Sequence, residues 1–460
     1  MKIKASKIIY LFFFLTVFLI PFDGVGVLPL GEFSREGYIL FLLIFLFFFI
    51  FLKNRFSVRV PRISLELQLL ILFVFIIGLS SLVNLSSIFN NAHPLRTGIQ
   101  KLLSQVLVFL FFFPFLTLVL YNYFMDTPNI VGRIRKPFLW AVYIVFIVGF
   151  FEVIYIHYRF SFANAVLDFF DSMPLVRIVK NTWDKRISSV TKEPPSLGLF
   201  LATALPWIIS VKPNTRKILR YYLPLGMILF LAIFSNSRSG LLIILLQFAT
   251  FIGLNQTKGR ISSKRLKNII FVVMTSIIML PFAIYYLSNS EFVQKRMDSY
   301  NFVKNYKASQ SNKTRLGTYV ASLEAFKEKP VLGHGFGQAG FTVVNKYPDW
   351  SREDNIELER FVQGKKIFPP VYNTYIRVGV DTGLLGLITF VAFQLVVFLR
   401  SLLLYYRGKV LYGQENLNAL LVLSSIGFGL TWVQFDTFRV IGYWIFFSFF
   451  LVVLNKAGNK

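Results

Sequence analysis

In the short connections on one side of its apolar stretches, and at the helix ends beside them, this chain places arginine where lysine is nearly absent. The residues are Arg35, Arg96, Arg238, Arg377 and Arg439. A guanidinium is planar, permanently charged and able to hold two oxygens at once, so it suits phosphate recognition. Any one of these cations could pair with an acid or a lipid headgroup. Several together imply a polyanionic ligand at a membrane surface, and a lipid-linked diphosphate is the natural candidate. Arg238 is the sharpest case. It sits in Ser235-Asn236-Ser237-Arg238-Ser239-Gly240, between two apolar runs with almost no connecting loop. A charge at the tip of such a hairpin is costly and usually functional. The small polar neighbours would let backbone and hydroxyl donors approach an anion. The plainer alternative is a structural turn with a solvated arginine.

Three further segments carry polar chemistry. The stretch from Arg186 through Glu193-Pro194-Pro195-Ser196 to Gly198 ends a long polar loop, and its prolines and serine are helix-start residues. Glu193 is one of few carboxylates near the membrane on this side. The stretch from Thr314-Arg315 to Pro330 places Leu316, Tyr319, Val320, Leu323 and Phe326 at helical spacing, so it predicts an amphipathic helix stopped by Pro330. Gly333-His334-Gly335-Phe336-Gly337 follows, either a tight turn or a ligand loop, with no strand before it to make a dinucleotide site. Tyr372-Asn373-Thr374-Tyr375-Ile376-Arg377 then enters an apolar run, and Arg377 and Asp381 fall four apart, as a salt-bridged pair would. Of the three histidines, His93 and His157 read as structural. His334 alone lies near the other motifs. No paired histidines or clustered acids suggest a metal site.

These residues must be positioned by membrane helices. The 460-residue chain is 55% apolar, 18% aromatic and 15% charged, against about 25% charged in soluble domains. The apolar residues fall in blocks long enough to cross a hydrocarbon core about 30 Å thick. They predict an all-α polytopic membrane protein with twelve spans, at 8–22, 37–52, 65–83, 102–120, 137–157, 196–211, 220–235, 239–254, 268–287, 375–403, 417–434 and 439–455. The first run lacks a small-x-small cleavage site and reads as a retained span. With both termini cytoplasmic, the inner segments carry 24 lysines and arginines and the short outer connections five, as the positive-inside rule requires. Two long loops, 158–195 and 288–374, then lie outside. They separate helices one to five (1–157), six to nine (196–287) and ten to twelve (375–460). No Walker or dinucleotide motif occurs, and the short inner loops leave no domain to bind a nucleotide. With no cysteine, disulfides and thiolate zinc sites are excluded. The net charge of +27 is spread as topology signals, which argues against nucleic acid. A transporter would need ionisable groups deep in several spans. Only Glu66, Glu152, Asp381 and Asp436 come close, mostly near span ends.

Taken in order, "SNSRSG", "TRLGTYVASLEAFKEKPVLGHGFG", "YNTYIRVGVDTGLLG" and the preceding "KRISSVTKEPPSLGLF" resemble the O-antigen ligase and polymerase superfamily of bacterial polysaccharide assembly. The resemblance covers about 186–390. It implies a bacterial inner-membrane glycosyltransferase, working on the periplasmic side, that polymerises undecaprenyl-diphosphate-linked repeat units into O-antigen, capsule or exopolysaccharide. A ligase joining the glycan to lipid A core or protein is the alternative within the class, and a lipid or glycan transporter the alternative outside it. On the leading reading Arg238 and Arg315 hold the diphosphate and stabilise its departure, with Arg186 and Arg377 assisting. Tyr372, Asn373 and Tyr375 contact the acceptor glycan. Many members have His-Asn where this chain has Tyr372-Asn373, so Glu193 or His334 would take over as base, or no side-chain base is needed. Membrane lipids and a co-polymerase that regulates chain length are the expected partners. No cofactor or metal is expected.

Overall fold

Away from water a peptide group must find its hydrogen bond within its own segment, so apolar runs of this length close up as helices. The computed structural model describes residues 2–24, 36–54, 57–182, 185–210, 218–256, 310–363, 365, 370–406 and 417–458. In chain order the helices are α1 (Lys2–Phe18), α2 (Ile39–Phe48), α3 (Leu65–Val83), α4 (Leu85–Asn90), α5 (Gly98–Leu110), α6 (Thr117–Met125), α7 (Ile130–Tyr158), α8 (Ser161–Asp171), α9 (Pro194–Ile209), α10 (Ile218–Phe234), α11 (Arg238–Gln256), α12 (Gln310–Glu328), α13 (Ala339–Val343), α14 (Asp349–Arg352), α15 (Ile356–Val362), α16 (Thr374–Tyr406), α17 (Leu417–Thr431) and α18 (Ile441–Gly458). A π-helical turn, Phe111–Leu116, joins α5 to α6. Among the described residues the only sheet is a hairpin, β1 (Ala92–His93) antiparallel to β2 (Arg96–Thr97).

Eleven of the twelve expected spans coincide with apolar helices. The ninth, 268–287, and Arg35 lie outside the described residues. Among the described residues four helices are, by length and composition, long enough to cross a membrane: α3, α5–α6, α7 and α16. The other seven are shorter. Long apolar side chains such as Phe75, Leu107, Ile388 and Leu395 are more than half exposed, as lipid-facing groups would be. Helix ends expected on one side cluster together. Arg59 pairs with Asp126 at 2.8 Å, Arg400 with the buried Glu66 at 3.3 Å, and Asn455 Nδ2 donates to the Tyr121 hydroxyl at 2.9 Å. The ends expected on the other side gather around the cavities described below.

The region between α11 and α16 differs from expectation in one respect. Helix α12 forms, but its apolar stripe is not the buried face: Val320 and Leu323 are exposed. The buried face is Thr314, Gly317, Thr318, Ala321 and Ala325. Small residues win here because α12 is pressed against α14, where a Cβ on Gly317 would stand 2.4 Å from Ser351 Cβ. The loop 158–195 also contains a helix that periodicity did not single out. This is α8, whose Ala163 and Leu167 face inward while Phe162 and Phe169 are exposed.

Candidate functional site

Two motif glycines set the first part of the site. Gly198 of α9 and Gly240 of α11 meet so closely that a Cβ on either would lie 2.9 Å from the other's Cα. Small residues permit such helix crossings in membranes. The contact brings the start of α9, and with it Glu193, beside the Ser235–Gly240 hairpin. The segment before Glu193 is fixed from below. The carboxylate of Glu152, buried in α7, accepts the Ser188 amide at 3.1 Å and the Ser189 amide at 2.7 Å. Ser189 holds a positive φ of 56°, and its hydroxyl donates to the Val145 carbonyl at 2.8 Å. One buried acceptor thus satisfies two amides that the turn would otherwise orphan.

The glycine-rich turn is a second fixed part. Helix α16 breaks at Gly383, where φ is +67°, and the 330–337 segment fills the break. His334 N donates to Val380 O at 3.0 Å, Gly335 N to Asp381 O at 2.9 Å and Leu384 N to Pro330 O at 2.7 Å. Gly333, Gly335 and Gly337 all have positive φ, the region that favours glycine. The turn therefore spends its amides on the protein. The buried Asp381 carboxylate accepts Ala339 N at 2.8 Å and faces Arg377 Nε at 3.4 Å. Arg377 also donates to the Asp436 carbonyl and the Gln105 side chain.

These parts frame two adjoining cavities. The larger, about 530 Å³, is lined by Asp23, Glu36, Tyr38, Lys192, Glu193, Ser196, Arg315, Pro370, Tyr372, Gln434, Asp436, Thr437 and Arg439, with an apolar floor from Leu199, Phe200 and Ile441. The smaller, about 220 Å³, is lined by Lys101, Gln105, Gly337, Arg377, Asp436, Thr437 and Arg439. Pro370, Asp436, Thr437 and Arg439 belong to both walls. In volume the larger falls within the range of small-molecule sites.

The charges in the larger cavity are arranged specifically. The Arg315 guanidinium lies over the Tyr372 ring, 5.3 Å from its centroid. Tyr372 has φ +58° and donates to Glu357 at 2.9 Å. Burial, and then Glu357, push its phenol well above the ordinary value, so it stays protonated. Asp23 accepts the Lys192 amide at 2.5 Å, and burial raises its carboxyl to about 6. Glu36 faces Arg439 at 4.0 Å. Burial pushes Glu36 up to about 7 against the opposing pull of Arg439, with Asp23 adding to the rise. The ends of the 23–36 connection are tied by Gly37 N donating to Phe22 O at 2.9 Å.

Of the expected site residues, Glu193, Arg315 and Tyr372 line the larger cavity, and Arg377 lines the smaller. Arg238 is half-buried at the start of α11 and lines neither cavity, but its neighbour Ser239 contacts Gln434 of the larger wall. Arg186 lines neither, and its Nε is buried without a hydrogen-bond partner. His334 is buried, with Nε2 against the Ala325 carbonyl at 2.7 Å, and burial lowers its pKa. It ties the glycine turn to α12. Asn373 caps α16 by accepting Ile376 N at 3.1 Å. Tyr375 donates to the Gly429 carbonyl at 2.9 Å. Motif reading missed Asp23 and Glu36, although in a chain with 22 acids two carboxylates bracketing the first outer connection were a usable signal. It counted Arg439 only as one of five outer arginines suited to a polyanion, and Asp436 only as an ionisable group near a span end. Among the described residues no group of three or more His, Asp or Glu is arranged to hold a metal ion.

Residues 223–391 match the family model described as O-Antigen ligase. A comparison with curated proteins finds no match. The matched region takes in the Ser235–Gly240 hairpin, Arg315, the glycine turn and the first part of the broken helix α16, three of the four motifs that carry the resemblance to the O-antigen ligase and polymerase superfamily; the 185–200 motif lies before it.

Proposed function

We propose, from a chain whose residues 223–391 match the O-Antigen ligase family model and whose motifs resemble the wider ligase and polymerase superfamily, that it is a polymerase. It transfers a growing glycan from one polyprenyl diphosphate to a sugar hydroxyl of a second lipid-linked repeat unit. The observation that carries this reading is the pair of joined cavities, with Arg439 and Asp436 on both walls and Asp23, Glu36 and Glu193 on the larger one. The donor bond is already activated, so the reaction needs no nucleotide. The anomeric carbon gains a bond to the acceptor oxygen and loses its bond to the diphosphate, whose new charge must be stabilised.

The cations best placed for that are Arg439, on both cavity walls, and Arg315, held on Tyr372. Arg377 is engaged by Asp381, Asp436 and Gln105, so its role is to hold α16, α5 and the 434–440 segment together. Arg238 acts from one residue further out, through the hairpin that meets Gln434. In this reading the cavities open on the periplasmic side of a bacterial inner membrane, and a chain-length regulator would dock nearby.

The test is to incubate purified protein in EDTA with lipid-linked repeat units extracted from the producing cells. A ladder of lengthened lipid-linked glycans is expected. A single transfer, seen only when lipid A core is supplied, makes the chain a ligase. Activity lost in EDTA and restored by a divalent cation contradicts the metal-independent step.

A further inference from the structure

The larger cavity is lined by four carboxylates, Asp23, Glu36, Glu193 and Asp436, and their surroundings separate them. Asp436 accepts the Val371 amide at 2.8 Å. Glu193 is exposed at the cavity rim. Asp23 is occupied by the Lys192 amide and the Ser196 hydroxyl. Glu36 is different. Its side chain is 23% exposed, it lines the larger cavity, and among the described residues its nearest cation, Arg439, stands 4.0 Å away, beyond hydrogen-bond reach. The Tyr38 hydroxyl lies where it can donate to the Glu36 carboxylate or, at 3.2 Å, to the Arg439 carbonyl, which ties the start of α2 to the junction of the two cavities.

We infer that Glu36 is the general base of glycosyl transfer, set in the larger cavity facing the cation that receives the leaving diphosphate. The inference rests on the function proposed above. The acceptor oxygen bonds to the anomeric carbon as its proton passes to the Glu36 carboxylate. The bond from that carbon to the diphosphate breaks, and its electron pair leaves on the phosphate oxygen beside Arg439. The proton then returns to solvent. The charged and titratable groups facing Glu36 are Asp23 from the end of the first span, Tyr38 from its own segment, Lys192 before α9 and Arg439 before α18. Burial and Asp23 hold its carboxyl at about 7, near the working pH, where a base is most effective. It must be ionised to act, so activity is lost as pH falls through about 7.

The experiment measures transfer between the extracted lipid-linked units from pH 5.5 to 8.5 for wild type, Glu36→Gln, Glu36→Asp and Asp23→Asn, with retention of the lipid-linked donor as the binding readout. Glu36→Gln is expected to lose about 10² to 10⁴ in rate, to keep donor binding, and to lose the acidic limb of the profile. Glu36→Asp keeps a limb at reduced rate. Asp23→Asn moves the limb to lower pH, because removing a neighbouring negative charge lowers the Glu36 pKa, and this holds even if Glu36→Gln fails to accumulate. A Glu36→Gln enzyme within threefold of wild type, or an Asp23→Asn limb that does not move, overturns the inference while wild-type transfer stands. A wild type that transfers nothing overturns the function, and the inference with it.

Discussion

Arg377 and Arg439 carry the same side chain four residues from a carboxylate or a few ångströms from one, yet the structure gives them different work. Arg377 is 11% exposed and spends its donors on Asp381, Asp436 and Gln105. Arg439 is 26% exposed, with Thr437 as its side-chain partner and Glu36 at 4.0 Å. Truncating Arg377 leaves a buried carboxylate unpaired, so Arg377→Ala should lower membrane protein level along with activity. Arg439→Lys keeps charge but loses the planar fork. It should cost on the order of 10² in transfer rate, at wild-type protein level, as measured by product formation per mole of purified enzyme. Arg315→Lys should lose less, since the lysine keeps charge near Tyr372. For Arg238 the motif and the structure predict differently: a fork gripping the diphosphate makes Arg238→Lys fail nearly as badly as Arg238→Ala, whereas its place outside both cavities predicts that Arg238→Lys is tolerated. Full-length polymer from Arg238→Ala would remove it from the site.

At the level of elements, the interlock between the glycine turn and the break in α16 is the least replaceable feature. A Cβ at Gly383 would lie 2.2 Å from the Val331 carbonyl oxygen, at a φ of +67°. At Gly226 in α10 an added Cβ meets nothing within 4 Å. Gly383→Ala should therefore destabilise the protein by several kcal/mol and fall sharply in membrane level. Gly226→Ala should leave thermal stability in detergent unchanged or slightly raised. This contrast also shows what the residues alone made legible. Hydrophobic blocks located eleven helices, because burial in lipid dictates both length and composition. They could not show that His334 serves the fold, since "GHGFG" looks the same whether its amides bind a ligand or Val380 and Asp381. They misjudged the buried face of α12, because close approach to Ser351 favours small residues over large apolar ones. Arg315, Glu193 and Tyr372 were legible as candidates from type and motif, and the fold brings all three to the wall of the larger cavity. Glu36 and Asp23 offered only their place at the two ends of the first outer connection, because Lys192 and Arg439, which build the site around them, are more than 150 residues away in the chain.

For the whole molecule, the account requires that all outer connections converge on one face. The chain has no cysteine, so single cysteines report sidedness without background. Cysteines at Ser311 and Ser57, both exposed, should be labelled from opposite sides of the membrane, with Ser311 reached from outside. The central claim is that glycan transfer takes place where the two cavities join, and Pro370, on both walls, allows the most direct measurement of it. Single cysteines at Pro370 and at Ser311 are each reacted with a bulky membrane-impermeant maleimide, and transfer between lipid-linked repeat units is compared with the same variant before labelling. The account predicts that labelling Pro370→Cys abolishes transfer while labelling Ser311→Cys leaves it intact. A fully labelled Pro370→Cys protein that still lengthens lipid-linked glycan at its unlabelled rate would contradict it.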